Sequence, residues 1–295
     1  MHQLSTIELL PPEKEYLGVV GFPIKHSLSP VFQNAALREM AKGNPSFESW
    51  EYLRIEVKPE ELPELLKICR DRGFRGLNLT LPHKVEVLEL LDEIDPVAAK
   101  MGAVNTVSFQ NNKTIGSNTD GYGLSKGIET TLGMSLKDRP ILLMGAGGAA
   151  RAACVQCLEE GCSHLWIGNR SKDRLDALLE DLQAGYSPDR MEGFLTGDEI
   201  PDVPGDTLLI QSTSLGLKPD DPLPVTKELL GRVEGLYDLV YGKEPTRLVR
   251  TARSMGKLAA DGLTMLVHQG AKSLSIWTGE EAPVDVMLDA VKLKL

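Results

Sequence analysis

Apolar and polar positions change period repeatedly along this 295-residue chain, and the changes mark out its elements. Residues 1–15, with Pro11-Pro12 and several charges, predict a loose leader; the apolar run 16–21 then predicts a short buried strand. Phe32, Ala35, Ala36 and Met40 recur at helical spacing behind Pro30, which suits a first turn capped by Ser29. Residues 58–72 predict a helix, with Pro59 at its start, Leu62, Leu65, Leu66 and Cys69 on one face and Gly73 at its end. Residues 74–81 alternate as a strand, so Asn78 and Thr80 share one side and Leu77, Leu79 and Leu81 the other. Pro82-His83-Lys84 leads into a helix around 85–91, and Asp95-Pro96 starts a short helix that Gly102 ends. Two strand-like runs, 103–109 and 113–117, flank Asn111-Asn112, a hairpin signal, and Asn118-Thr119-Asp120-Gly121 opens a helix over 122–132.

From residue 140 the rhythm becomes strand then helix, repeated, which predicts a parallel sheet covered by helices. Pro140-Ile141-Leu142-Leu143 runs into Met144-Gly145-Ala146-Gly147-Gly148-Ala149-Ala150. Gly145 permits the tight turn, Gly147 lets a pyrophosphate approach the backbone, and Ala150 stands where close helix–strand packing tolerates only a small side chain. The free N–H groups at the helix start then face an anion. A second strand, 164–168, ends in Asn169-Arg170-Ser171-Lys172-Asp173-Arg174. An NAD site places a carboxylate here for the ribose diol, whereas a 2′-phosphate repels carboxylates and wants cations. Neutral Asn169 with Arg170, Ser171 and Arg174 therefore favours NADP; the competing reading makes Ser171 the cap of a helix over 171–182 and Asp173 a first-turn acid or diol acceptor. Residues 207–210, 235–240 and 257–260 predict further strands, 246–254 a helix between the last two, and two more helices follow Gly262, the second over 284–293.

Composition narrows the function classes. The balance of 42% hydrophobic and 25% charged residues is that of an ordinary globular chain, long enough for two domains. A net charge of −10 argues against nucleic acid or an anionic membrane as main partner, while leaving room for a small anionic substrate held by local cations. No apolar run approaches the roughly 20 residues of a membrane span, and no signal-peptide pattern opens the chain, so a cytoplasmic protein is expected. Cys154, Cys157 and Cys162 could be drawn with His164 as a metal site; with Cys69 they read better as core thiols in a reducing compartment.

Taken singly, the polar segments of the first half are bland: Ser27 and Ser29 suit capping, and Asp120 is an acid at a helix start. Taken together, Ser27-Leu28-Ser29-Pro30, Asn78-Leu79-Thr80-Leu81-Pro82-His83-Lys84, Gly102-Ala103-Val104-Asn105-Thr106 and Asn118-Thr119-Asp120-Gly121 precede the glycine loop in an order that resembles the shikimate dehydrogenase family. Asn169-Arg170-Ser171, Tyr237-Asp238-Leu239-Val240-Tyr241 and 261–269 continue the resemblance, which runs from about Leu17 to about Trp277.

That resemblance implies an α/β fold: an N-terminal α/β substrate domain over 1–118, a Rossmann-like, doubly wound NADP-binding domain over 119–261, and C-terminal helices over 262–295 returning to the substrate domain. It implies a metal-free, NADP-dependent reduction of 3-dehydroshikimate to shikimate by a monomer or homodimer. Ser27 and Ser29 would hold the substrate carboxylate; Asn78, Thr80, Asn105 and Gln269 its ring hydroxyls; Tyr241 would add a further contact. Lys84 and Asp120 would be the catalytic pair. Gly145, Ala146, Gly147, Gly148, Ala149, Asn169, Arg170, Ser171, Arg174, Thr213 and Gly262 would line the cofactor, Gly262 admitting the nicotinamide. The chain departs from the family in Gln211-Ser212-Thr213-Ser214, where many members have Asn-Ala-Thr-Ser, and in His83, where members often have an aromatic residue; His83, His26 and His268 read as neighbours of the chemistry. Quinate is the nearest rival substrate, and a non-catalytic NADP sensor the rival class, against which Lys84 and Asp120 both speak.

Overall fold

The computed structural model describes residues 1–197, 200–218 and 220–295. They form two compact units, one of 1–119 with 269–295, the other of 120–268.

The first unit holds six strands: β1 (Glu15–Gly21), β2 (Trp50–Glu56), β3 (Gly76–Leu79), β4 (Glu93–Ile94), β5 (Thr106–Gln110) and β6 (Lys113–Ser117). They lie in the order β2-β1-β3-β5-β6-β4. β1 runs parallel to both neighbours, while β5 pairs antiparallel with β3 and with β6. The β5–β6 turn is the expected two-residue hairpin, with Asn111 and Asn112 at φ 51° and 61°, the left-handed pair that matches strand twist. One core cluster gathers Val20, Ile55, Leu65, Phe74, Leu77, Val87 and Val107. The helix Val284–Lys292 packs on the helix Ser29–Gly43.

Several expectations need correction here. The leader is ordered: His2 donates to the Arg54 carbonyl at 2.8 Å and accepts from Glu56 N–H at 2.9 Å, and Ile7 is fully buried. Pairing with the edge of β2 is what ties it down. Ser29 does not cap its helix but begins it; Leu28 holds the cap position without a side-chain bond, and the Ser29 N–H reaches the Ser27 hydroxyl at 3.3 Å. The strand expected over 74–81 is only Gly76–Leu79, and the helix expected at 85–91 begins two residues earlier as the turn His83–Glu86, continued by a 3-10 turn to Leu90.

Gly76 is fixed by its neighbour. A Cβ there would lie 1.9 Å from Nε1 of Trp277, whose buried indole N–H donates to the Val107 carbonyl at 3.1 Å. Gly76→Ala is expected to lower stability by about 3 kcal/mol by displacing the indole and stranding that carbonyl. Gly43→Ala, where a Cβ meets nothing within 4 Å, is the control. Denaturation midpoints check both, and equal midpoints would contradict the packing account.

The second unit is a parallel sheet of β7 (Pro140–Met144), β8 (His164–Asn169), β9 (Met191–Leu195), β10 (Leu208–Gln211), β11 (Gly235–Asp238) and β12 (Leu258–Asp261). Its order, β12-β11-β10-β7-β8-β9, is that of a doubly wound dinucleotide fold, and the order reverses between β7 and β10. Every residue of β7, β10 and β11 is buried, as strands covered on both faces require. Ligands of such sheets bind beyond the carboxyl ends of the strands at that reversal.

The helix Leu263–Thr278 passes from one unit to the other without a break, so the boundary expected at 261/262 falls inside it, at His268/Gln269. Its first turn belongs to the second unit because the Tyr237 hydroxyl meets Thr264 Oγ1 at 2.9 Å and accepts from Met265 N–H at 3.1 Å.

Candidate active site

In the first unit, residues from β2, β3, β5 and the helix Leu263–Thr278 build a buried polar cluster. Asn78 is its centre: its amide nitrogen donates to Ser273 Oγ at 2.9 Å, Thr106 Oγ1 at 3.1 Å and the Asn105 carbonyl at 3.1 Å. Its Oδ1 accepts from the Tyr52 hydroxyl at 2.7 Å. Burial pushes that phenol well above its ordinary range, outweighing an opposing hydrogen bond with Ser29, so Tyr52 stays a neutral donor. Asn105 is fastened to the segment before Asp120: its Oδ1 accepts from Thr119 N–H at 2.8 Å, and its nitrogen donates to Thr119 Oγ1 at 3.0 Å and to Gln269 Oε1 at 3.3 Å. Amides and hydroxyls that lock one another in this way keep a fixed orientation, the arrangement that suits a small polyhydroxylated ligand.

Ser27, Ser29, Asn78, Thr80, Lys84, Asn105 and Gln269 all belong to this unit. Asn78 and Asn105 are buried, whereas Ser27, Thr80, Lys84 and Gln269 are partly exposed. Thr80 follows β3 directly, its N–H on the Val20 carbonyl at 2.9 Å, and Lys84 sits in the turn His83–Glu86. Tyr52, Thr106, Thr119 and Ser273 were not singled out from the sequence. Ser273 stands four residues after Gln269 on one helix face, a spacing that could have found it, and Thr106 and Thr119 lie inside motifs already quoted. Tyr52 gave no such signal.

Asp120 and Tyr241 belong to the second unit, Asp120 as the first residue of the helix Asp120–Leu132 and Tyr241 three residues beyond β11. Gly145, at φ 122°, turns the chain out of β7, and a Cβ on it would lie 2.6 Å from Ser212 Oγ. Ala146 is partly exposed and Gly147, Gly148 and Ala149 are exposed; a Cβ on either glycine would meet nothing within 4 Å. No side chain caps the helix that starts at Gly148. Open backbone N–H groups at the start of a twelve-residue helix fit a pyrophosphate. Ala150 is fully buried, as close packing asks.

The Asn169 amide donates to the Ser171 carbonyl at 2.9 Å and so shapes the loop after β8. Arg170 and Arg174 are exposed and enter no ion pair among the described residues. Ser171 occupies the cap position of the helix Lys172–Gln183 but makes no side-chain cap bond, so its hydroxyl is not used for capping. Two uncommitted guanidinium groups and a hydroxyl fit a 2′-phosphate. Gln211, fully buried, accepts from Thr213 N–H at 2.6 Å and donates to the carbonyls of Thr213 and Leu215 at 3.2 and 3.0 Å, which fixes the loop carrying Thr213. Gly262 is required by close packing in this unit: a Cβ there would lie 2.3 Å from the Leu239 carbonyl oxygen.

Asp238, at the end of β11, is fully buried and accepts from Thr246 Oγ1 at 2.6 Å and Val240 N–H at 3.1 Å. Burial lifts its carboxyl to about 6, the two hydrogen bonds opposing. The folded protein therefore holds this proton more tightly than the unfolded chain. The stabilisation is complete below the unfolded value of about 3.9 and is lost as pH rises through 6. Stability of the wild type relative to Asp238→Asn should fall across that window, as read by unfolding midpoints at a series of pH values. A difference independent of pH would contradict it.

A family profile described as the shikimate dehydrogenase substrate binding domain matches residues 19–107, and one described as the shikimate 5′-dehydrogenase C-terminal domain matches 262–292. The chain is 39% identical over 282 residues to the shikimate dehydrogenase (NADP(+)) of Methanopyrus kandleri, covering 95% of each. Shikimate 5-dehydrogenase of Thermus thermophilus, solved with NADP(H) and shikimate, superposes with a TM-score of 0.80 at 34% identity, over 95% of this chain and all of that one. The 5-ketofructose reductase of a Gluconobacter strain gives a TM-score of 0.85 at 28% identity, over 96% and 99%. With near-complete coverage in both directions, the chain belongs to the shikimate dehydrogenase family.

Proposed function

We propose that this protein is an NADP-dependent shikimate dehydrogenase that interconverts 3-dehydroshikimate and shikimate. The observation that carries the reading is the 39% identity over 95% of both chains to a relative of that name. The open glycine loop supports the cofactor, as do Arg170 and Arg174, which enter no ion pair among the described residues. The polar cluster around Asn78 and Asn105 supports a small hydroxylated substrate.

When bound, NADPH would supply the hydride for the ketone carbon. The residues of this chain have the complementary task. Hydride addition leaves negative charge on the carbonyl oxygen, which must be stabilised and protonated. Lys84 and Asp120 would fill that role, one as an ammonium and the other as a carboxylate. Ser27 and Ser29 take the substrate carboxylate, and Asn78, Thr80, Asn105 and Gln269 take its ring hydroxyls, which presents one ketone to the pair. Tyr241 would add a further substrate contact, and Gly145, Ala146, Gly147, Gly148, Ala149, Asn169, Arg170, Ser171, Arg174, Thr213 and Gly262 would hold the dinucleotide. The protein works in the cytoplasm as a monomer or homodimer; its four buried free thiols suit a reducing compartment.

The likeness to 5-ketofructose reductase favours one second reading, a reductase of another hydroxylated ketone on the same scaffold. Steady-state kcat/KM for shikimate, quinate and 5-ketofructose with NADP(H) and NAD(H) separates them. Shikimate with NADP should rank first; no turnover of shikimate with either cofactor would overturn the proposal.

A further inference from the structure

His83 is fully buried, one residue before Lys84. Its Nε2 lies 3.0 Å from the backbone carbonyl of Val57, which is itself in the core at the exit of β2. A carbonyl can only accept, so Nε2 carries a proton and donates. Its Nδ1 lies 3.4 Å from Glu86 Oε2 on the outer side of the same turn. Nε2 is therefore committed to the protein and not to substrate.

The turn His83–Glu86 is a single helical turn continued by a 3-10 turn. It is four residues long, its cap residue Pro82 makes no side-chain bond, and Leu81, Val85 and Glu86 are exposed. A single helical turn does not persist by its own hydrogen bonds. Among the ties that fix it are His83 N–H to the Thr80 carbonyl at 2.9 Å, Val104 N–H to the Lys84 carbonyl at 2.8 Å, and the His83 ring to Val57. The last comes from a fully buried side chain of the turn. A phenyl ring could fill the same space, but it could not satisfy the buried Val57 carbonyl or resist rotation of the turn.

We propose that His83 is a positioning residue for Lys84: its Nε2–H···O=C bond to Val57 pins the turn and aims the lysine ammonium. This rests on the reading of Lys84 as a proton-transfer residue. The effect is on catalysis rather than binding, because a misaimed ammonium weakens transition-state stabilisation while the substrate contacts stay in place.

The test compares kcat, both KM values and the pH profile in His83→Phe, His83→Gln and His83→Asn, with Lys84→Met in parallel. Phenylalanine keeps the ring without the donor, glutamine places an N–H at a reach close to Nε2, and asparagine is too short. His83→Phe and His83→Asn should lose about tenfold in kcat with both KM values nearly unchanged. His83→Gln should recover most of it, with an unaltered pH profile. If His83→Phe fails to fold, the glutamine–asparagine comparison carries the test alone. Wild-type kcat in His83→Phe or His83→Asn, or an equal loss in His83→Gln, would overturn the proposal. Loss of a pH limb in His83→Gln would also overturn it, since it would make the imidazole a proton carrier. Wild-type kcat in Lys84→Met would instead remove the lysine reading on which it rests.

Discussion

Lys84→Ala is expected to lower kcat for shikimate oxidation by roughly 10²–10⁴, with the KM for shikimate changed far less. An ammonium that stabilises and protonates a developing alkoxide acts mainly in the transition state, where charge has accumulated, and contributes little to ground-state binding. The two amides keep their anchors in the variant, because Tyr52, Thr106 and Ser273 hold Asn78 and Thr119 holds Asn105. Steady-state kinetics with both substrates varied check the result. A variant as fast as wild type would remove the lysine from the mechanism, and a raised KM at constant kcat would make it a binding residue only.

Arg170→Ala combined with Arg174→Ala is expected to reduce kcat/KM for NADPH about 10²-fold while leaving that for NADH nearly unchanged. Hydrogen bonds to charged groups contribute about 1.5–3 kcal/mol each, and solvent exposure of both guanidiniums places the combined effect near the lower end of their sum. Because neither arginine is committed to an ion pair among the described residues, the loss should appear in cofactor selectivity and not in the unfolding midpoint. Equal losses with the two cofactors would show that the cations act on something other than the 2′-phosphate.

The fold was largely legible where one physical requirement dominated a segment. The unbroken apolar runs of β7, β10 and β11 fit strands buried on both faces. Gly145 announced a positive-φ turn, and Asn111-Asn112 announced the β5–β6 hairpin. Elements held by tertiary contact were harder to see. β2 interleaves Glu51, Arg54 and Glu56 with apolar residues because it is an edge strand, and it went unanticipated along with Tyr52. The leader carries no strand signal of its own and is ordered only by pairing with that edge. The same holds for the polar cluster: Asn78 and Asn105 stand in motifs, whereas Ser273 reaches Asn78 from nearly two hundred positions away through the helix Leu263–Thr278. His83 reads as a neighbour in sequence because the carbonyl that gives it a task, that of Val57, comes from a distant strand exit.

We propose that Lys84 and Asp120 serve together in proton transfer to the ketone. This is tested most directly by kcat in a cycle of Lys84→Ala, Asp120→Asn and the double variant. Residues that act as a unit are strongly non-additive, so the double variant should be about as slow as Lys84→Ala alone. Losses that multiply, or an Asp120→Asn variant as fast as wild type, would contradict the account.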